Sequence, residues 1–139
     1  MGGLGNMDKA VVDSIFLIDD SDIDLFVQRR LIEINNLASR VITYNSPVNA
    51  LKELESSLQT EGKNLVLLDL NMPILDGFDF LDKFNASAKV QNVKFIVLTS
   101  SSSSLDREKA TKYDNVIDFI SKPLNDKGLS TIRNYYQEN

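Results

Sequence analysis

Short, mostly apolar runs alternate with amphipathic stretches five times along this chain. Ile15-Phe16-Leu17-Ile18, Leu65-Val66-Leu67-Leu68 and Phe95-Ile96-Val97-Leu98 are apolar at every position, which suits strands covered on both faces. Val41 to Tyr44 and the stretch Val116, Ile117, Phe119, Ile120 supply two more strands, and these carry polar residues: Arg40 and Thr43 in one, Asp118 in the other. Between the runs, apolar residues return at helical spacing. Ile23, Phe26, Val27, Leu31 and Ile34 form one series, predicted to face inward, with Arg29, Arg30 and Glu33 on the surface. Ala50, Leu51, Leu54 and Leu58 form a second, opened by Ser46 as N-cap and Pro47 as first helical residue. Phe78, Leu81 and Phe84 mark a short third helix. A polar fourth runs from about Leu105 to Tyr113, with Asp106 and Glu108 where the helix dipole favours them, and Leu129, Ile132 and Tyr136 mark a fifth.

Strict alternation of strand and helix implies a parallel sheet with right-handed crossovers and helices on both faces. The two polar strands belong at its edges. That gives an α/β, doubly wound (βα)5 architecture with strand order 2-1-3-4-5, the flavodoxin-like arrangement, whose crevice lies beside the first and third strands. No internal repeat at a solenoid period interrupts the pattern.

Composition narrows the functional classes. The 139 residues, 42% of them hydrophobic, suffice for one domain and one core, which we expect over residues 11–139 behind a flexible lead of residues 1–10. Met1-Gly2-Gly3-Leu4-Gly5-Asn6 starts like a myristoylation signal but has Asn6 where Ser or Thr is required. Without cysteine there is no disulfide framework and no thiolate nucleophile. Without histidine there is no imidazole base and no phosphohistidine, so any histidine chemistry must arrive on a partner. A net charge of −5 argues against a nucleic-acid surface, and the apolar runs are too short to span a membrane, so a cytoplasmic protein is expected.

The ends of the apolar runs carry the candidate chemistry. In a parallel sheet, Asp19 and Asp20 after the first strand, Asp69 after the third, Thr99 after the fourth and Lys122 after the fifth collect at one edge. Each has an ordinary use when taken singly. An Asp favours turns, Asp19-Asp20 can end a strand and cap a helix in competition with Asp22, Thr is common in strands, and a Lys before Pro is usually solvated. Their coincidence at four strand ends is what points to a site. Three crowded carboxylates raise one another's pKa unless a cation compensates, and a hard oxygen-binding cation such as Mg²⁺ is the natural candidate. Two acids can then hold the metal while the third attacks phosphorus, with Lys122 and Thr99 bonding the transferred group.

With an acidic pair after the first strand, Asp69-Leu70-Asn71-Met72-Pro73 followed by Asp76-Gly77, a hydroxyl after the fourth strand and Lys122-Pro123 after the fifth, the chain resembles the receiver domain of two-component response regulators. The likeness covers about Ser14 to the C-terminus. It implies that Asp69 is the phosphoacceptor, that Mg²⁺ is held by Asp20, Asp69, the backbone carbonyl of Asn71 and, through water, Asp19, and that Thr99 and Phe119 form a switch pair. It further implies that Lys122 and the small Ser100 stand beside the phosphoryl group and that the Lys122-Pro123 peptide is cis. The partners implied are a histidine kinase or histidine phosphotransfer protein as donor, and a downstream protein bound through the fourth helix, fifth strand and fifth helix, where Arg107, Lys112, Tyr113 and Tyr135 fall. On this likeness the chain is a phosphoacceptor rather than an enzyme, either a stand-alone regulator or phosphorelay intermediate, or a fragment of a larger hybrid kinase or response regulator. Asn71 and Ser101 occupy positions that tune the phosphoryl lifetime in the family.

Two departures stand out. Asp114-Asn115 replaces the frequent Gly-Ala before the fifth strand, with Asn115 expected to take the left-handed turn, and Ser101 to Ser104 replaces a more varied loop and is expected to be flexible. A haloacid-dehalogenase-like phosphohydrolase also uses a strand-end Asp, a hydroxyl and a Lys, but usually wants Asp-x-Asp where this chain has Asp69-Leu70-Asn71. A flavin module shares the fold, but Asp19-Asp20 would repel phosphate where it needs a phosphate loop.

Overall fold

The computed structural model describes residues 9–87 and 92–138. The N-terminal six residues and most of the expected lead lie outside the described residues. Ten elements alternate as the sequence pattern requires: β1 (Val12–Ile18), α1 (Asp22–Ile34), β2 (Ala38–Tyr44), α2 (Pro47–Ser57), β3 (Asn64–Leu68), α3 (Gly77–Ser87), β4 (Val93–Thr99), α4 (Ser104–Ala110), β5 (Val116–Ser121) and α5 (Asp126–Glu138). The five strands form one parallel sheet in the order β2-β1-β3-β4-β5, with the two polar strands at its edges. This is the flavodoxin-like doubly wound fold.

The continuous apolar runs resolve into two alternating sets. Phe16, Ile18, Val66, Leu68, Phe95 and Val97 pack on one face against Leu54 of α2 and Phe80, Leu81 and Phe84 of α3. Ile15, Leu17, Leu65, Leu67, Ile96 and Leu98 pack on the other against Leu25 and Ile32 of α1 and Leu129 and Ile132 of α5. A strand with helices on both sides has no polar face, so its period of two is hidden in the sequence.

One helix presents a different face from the one its apolar residues suggest. Ile23, Phe26, Val27 and Ile34 are exposed, Leu31 is half-buried, and α1 buries Leu25, Gln28 and Ile32. Two series interleave on this helix, and the buried one has a glutamine at its centre, where a count of apolar residues passes over it. Gln28 tolerates burial because its amide donates to Asp19 Oδ2 at 3.4 Å.

The helix starts follow local chemistry. Ser21 rather than Asp22 caps α1, its hydroxyl accepting from the Asp24 N–H at 3.2 Å, and Ser46 with Pro47 opens α2 as expected. The serine run makes local hydrogen bonds through its own hydroxyls: Ser103 caps α4, and Ser101 donates to Asp106 Oδ2 at 2.8 Å. The turn before β5 survives, with Val116 N–H donating to Tyr113 O at 3.1 Å, but Asn115 does not take a positive φ. Among the described non-glycine residues, Asn36 and Ile74 do, at 51° and 72°.

Candidate functional site

Register brings the strand ends together. Ile18 lies opposite Leu68, Leu68 opposite Val97 and Val97 opposite Phe119. The ladder runs one step further, since Asp69 N–H donates to Ile18 O at 3.0 Å and Asp19 N–H to Tyr44 O at 3.1 Å. Asp19 and Asp69 therefore stand side by side at the carboxyl edge, both buried, while Asp20 is exposed. One carboxylate oxygen from each of Asp19, Asp20 and Asp69 can be chosen so that all lie within 4.8 Å of one another. An all-oxygen donor set of this charge fits a hard divalent cation.

Lys122 reaches this edge from the end of β5, where its N–H donates to Thr99 O at 2.8 Å and its peptide to Pro123 is cis. Its ammonium lies 2.6 Å from Asp19 Oδ2, 2.9 Å from Asp24 Oδ2 and 3.4 Å from Asp69 Oδ2. Burial works to lower its pKa, but hydrogen bonds to Asp19 and Asp24 and the charges of Asp19 and Asp69 outweigh it and hold the lysine above its ordinary range. Asp19 is shifted up. Burial raises it, and the Asp69 charge adds to that against the lowering effect of Lys122 and of the Ser21 N–H, which Oδ1 accepts at 2.9 Å.

Around Asp69 the remaining positions divide by what they touch. Asn71 N–H donates to Asp69 Oδ1 at 3.2 Å, and the Asn71 amide donates to Thr99 Oγ1 at 3.2 Å. Ser101 N–H also donates to Thr99 Oγ1 at 3.2 Å, so the buried threonine hydroxyl accepts from two N–H groups and keeps its own proton to give. Ser100 is exposed and lines a groove of about 410 Å³ with Asp24, Val27, Gln28, Lys122 and Leu124. Phe119 is buried on β5 beneath Arg107, whose guanidinium stands 4.7 Å from the ring centroid and donates to Phe119 O at 3.4 Å.

Gly77 explains how α3 fits beneath the Asp69 loop. A Cβ there would come within 2.7 Å of Asp69 O and 2.9 Å of Leu70 Cα, so the requirement is close approach rather than a positive φ. Sequence reasoning passed over Asp24, Gln28 and the stacking of Arg107. An acidic residue in the first turn of α1 was the available signal for Asp24, but its use depends on where Lys122 arrives from the other end of the chain.

The fold and this edge define a doubly wound α/β domain with an acidic cluster at the topological crevice. The sequence pattern of the response regulator receiver domain matches residues 15–133, and the chain belongs to that family. It is 29% identical over 132 residues to a two-component response regulator of Arabidopsis thaliana, covering 90% of this chain and 63% of that protein. It is 31% identical over 129 residues to a two-component response regulator of Oryza sativa subsp. japonica, covering 88% of this chain and 54% of that protein. The chain thus spans between half and two thirds of these relatives. Among solved structures, a two-component response regulator of Cytophaga hutchinsonii matches at a TM-score of 0.78 with 27% identity, covering 92% of this chain and 98% of that one. A response regulator receiver protein of Dyadobacter fermentans matches at 0.76 with 26% identity, covering 89% and 97%. Among the described residues, no helix is long and apolar enough to cross a membrane.

Proposed function

We propose that Asp69 accepts a phosphoryl group from a phosphohistidine on a histidine kinase or histidine phosphotransfer protein, and that the resulting acyl phosphate changes which partners the domain binds. The observation that carries this reading is the convergence on Asp69 of two further carboxylates within 4.8 Å and of the Lys122 ammonium at 3.4 Å. In the transfer, the N–P bond of the donor imidazole breaks and an O–P bond forms to the Asp69 carboxylate; the imidazole leaves with the donor. Asp19, Asp20, Asp69 and the Asn71 carbonyl would hold Mg²⁺, which when bound supplies positive charge to the phosphoryl oxygens. Lys122 donates to the same oxygens, and Asn71 N–H holds one oxygen of the Asp69 carboxylate in place.

The product adds about two negative charges and new acceptor oxygens, by analogy with other phosphorylated side chains. Thr99, with a proton free to give, and exposed Ser100 are the hydroxyls set to meet them. The switch then passes to Phe119. Because Phe119 is already buried, signalling here is a shift in the population of a packing that the chain can adopt, read out on the face formed by α4, β5 and α5. Donor approach is supported by the exposed apolar residues Ile23, Phe26 and Val27 of α1, since Val27 also lines the groove that opens on Lys122. The domain, taken as residues 11–139, acts through binding, alone or within a larger protein.

Asp69→Asn tests the reading. Mg²⁺-dependent incorporation of phosphate from acetyl phosphate is expected to disappear, measured by intact mass. Undiminished incorporation in the variant would overturn it.

A further inference from the structure

The ammonium of Lys122 has three hydrogens to give, and three carboxylates stand around it. Two of them, Asp19 and Asp69, belong to the buried acidic cluster. The third does not. Asp24 sits in the first turn of α1, its side chain 42% exposed, yet its Oδ2 lies 2.9 Å from the lysine Nζ, closer than Asp69 at 3.4 Å. Ser21 fixes the backbone of Asp24 through the cap, so α1 presents this carboxylate to the mouth of the site.

We propose that Asp24 is a positioning residue for Lys122: it draws the ammonium toward the mouth of the site and limits how readily that ammonium turns to a phosphoryl group on Asp69. The proposal rests on the reading of Asp69 as phosphoacceptor. Donor count and charge set the competition for the ammonium. Asp19 is the nearest partner of Lys122 at 2.6 Å and also belongs to the carboxylate set suited to a divalent cation, so an oxygen committed to the cation is withdrawn from the lysine. Asp24 is outside that set and keeps its hold. A phosphoryl group on Asp69 must then compete with Asp24 for the same N–H donors, and it meets the uncompensated part of the Asp24 charge at the entrance. Regulation of the site is thereby built into α1, the element that also carries the exposed apolar residues beside the groove.

Beryllofluoride, a mimic of a phosphoryl group on a carboxylate, serves as the probe. Its affinity in the presence of Mg²⁺ is measured by ¹⁹F NMR for the wild-type chain and for Asp24→Asn, Asp24→Glu and Asp22→Asn, and the Lys122 Nζ resonance is followed by ¹⁵N NMR. Asp22 is the control: it lies in the same helical turn but accepts from Asn45 Nδ2 at 3.1 Å. Asp24→Asn is expected to bind beryllofluoride about fivefold more tightly, the weight of one unit charge at a half-wet site, and to shift the Lys122 resonance before any ligand is added. Asp24→Glu should restore both readouts toward wild type, and Asp22→Asn should change neither. An unshifted Lys122 resonance, unchanged or weaker binding in Asp24→Asn, or an equal gain in Asp22→Asn would each overturn the proposal. Failure of the wild-type chain to bind beryllofluoride at all would instead strike at the phosphoacceptor reading, and the proposal would fall with it.

Discussion

Replacing Gly77 with alanine probes the contact that seats α3 under the phosphoacceptor loop. The added Cβ would lie 2.7 Å from Asp69 O, 2.8 Å from Leu70 Cδ2 and 2.9 Å from Leu70 Cα. Leucine Cδ2 can turn aside, but the other two atoms are backbone at the end of β3. The helix cannot simply retreat, because Gly77 N–H donates to Leu70 O at 3.0 Å and retreat breaks that bond. Overpacking of this kind costs about 1–3 kcal/mol. Alanine recovers up to about 1 kcal/mol of helix propensity, less at the first helical residue than in the interior. The net loss is therefore about 1–2 kcal/mol. With an m-value of about 2 kcal/mol/M, the middle of the range for a small domain in urea, the midpoint followed by far-ultraviolet circular dichroism should fall by roughly 0.5–1 M. Since the clash falls on Asp69's own carbonyl, phosphate incorporation from acetyl phosphate should also slow under conditions where the variant is fully folded. A midpoint equal to or above wild type would refute the reasoning, because it would mean that the loop absorbs a methyl group without cost.

Two stability predictions follow from the same region. Ile74 is 94% exposed and holds φ at 72°, a left-handed conformation that is hard on a β-branched residue, so Ile74→Asn should raise the urea midpoint by the equivalent of about 1 kcal/mol; a lower midpoint would contradict it. Asp19 has a folded-state pKa raised chiefly by burial, so its contribution favours the folded state below the ordinary Asp pKa and is lost as pH rises through the folded value. In the metal-free protein Asp19→Asn should therefore be more stable than wild type at pH 7, with the advantage shrinking toward about pH 4, as measured by urea unfolding across that range. A variant less stable than wild type at pH 7 would show that the 2.6 Å contact with Lys122 outweighs the burial of the carboxylate.

The chain itself determined the order of its elements and the identity of the residues at the strand ends. Three uninterrupted apolar runs require cover on both faces, and with strict alternation that leaves a parallel sheet whose carboxyl edge gathers Asp19, Asp20, Asp69, Thr99 and Lys122. These signals are local: each is a strand, its terminus and a few residues beyond. The facing of α1 was not local. Its apolar residues outnumber the positions the core can take; Leu25 and Ile32 take them, and Gln28 is buried between them with Asp19 as its partner, a contact between elements that sequence periodicity does not register. The serine run likewise became a cap and a hydrogen bond to Asp106 only once α4 was placed. Tertiary structure also decided the geometry among the charges. Strand alternation places several acids and a lysine at one edge, but the ranking of Asp19, Asp24 and Asp69 around Lys122 comes from the register of β1 and β3 and from the arrival of β5 on the far side of β4. Electrostatic energy depends on distances of a few ångströms and on burial, and both are properties of the folded packing rather than of the order of residues along the chain.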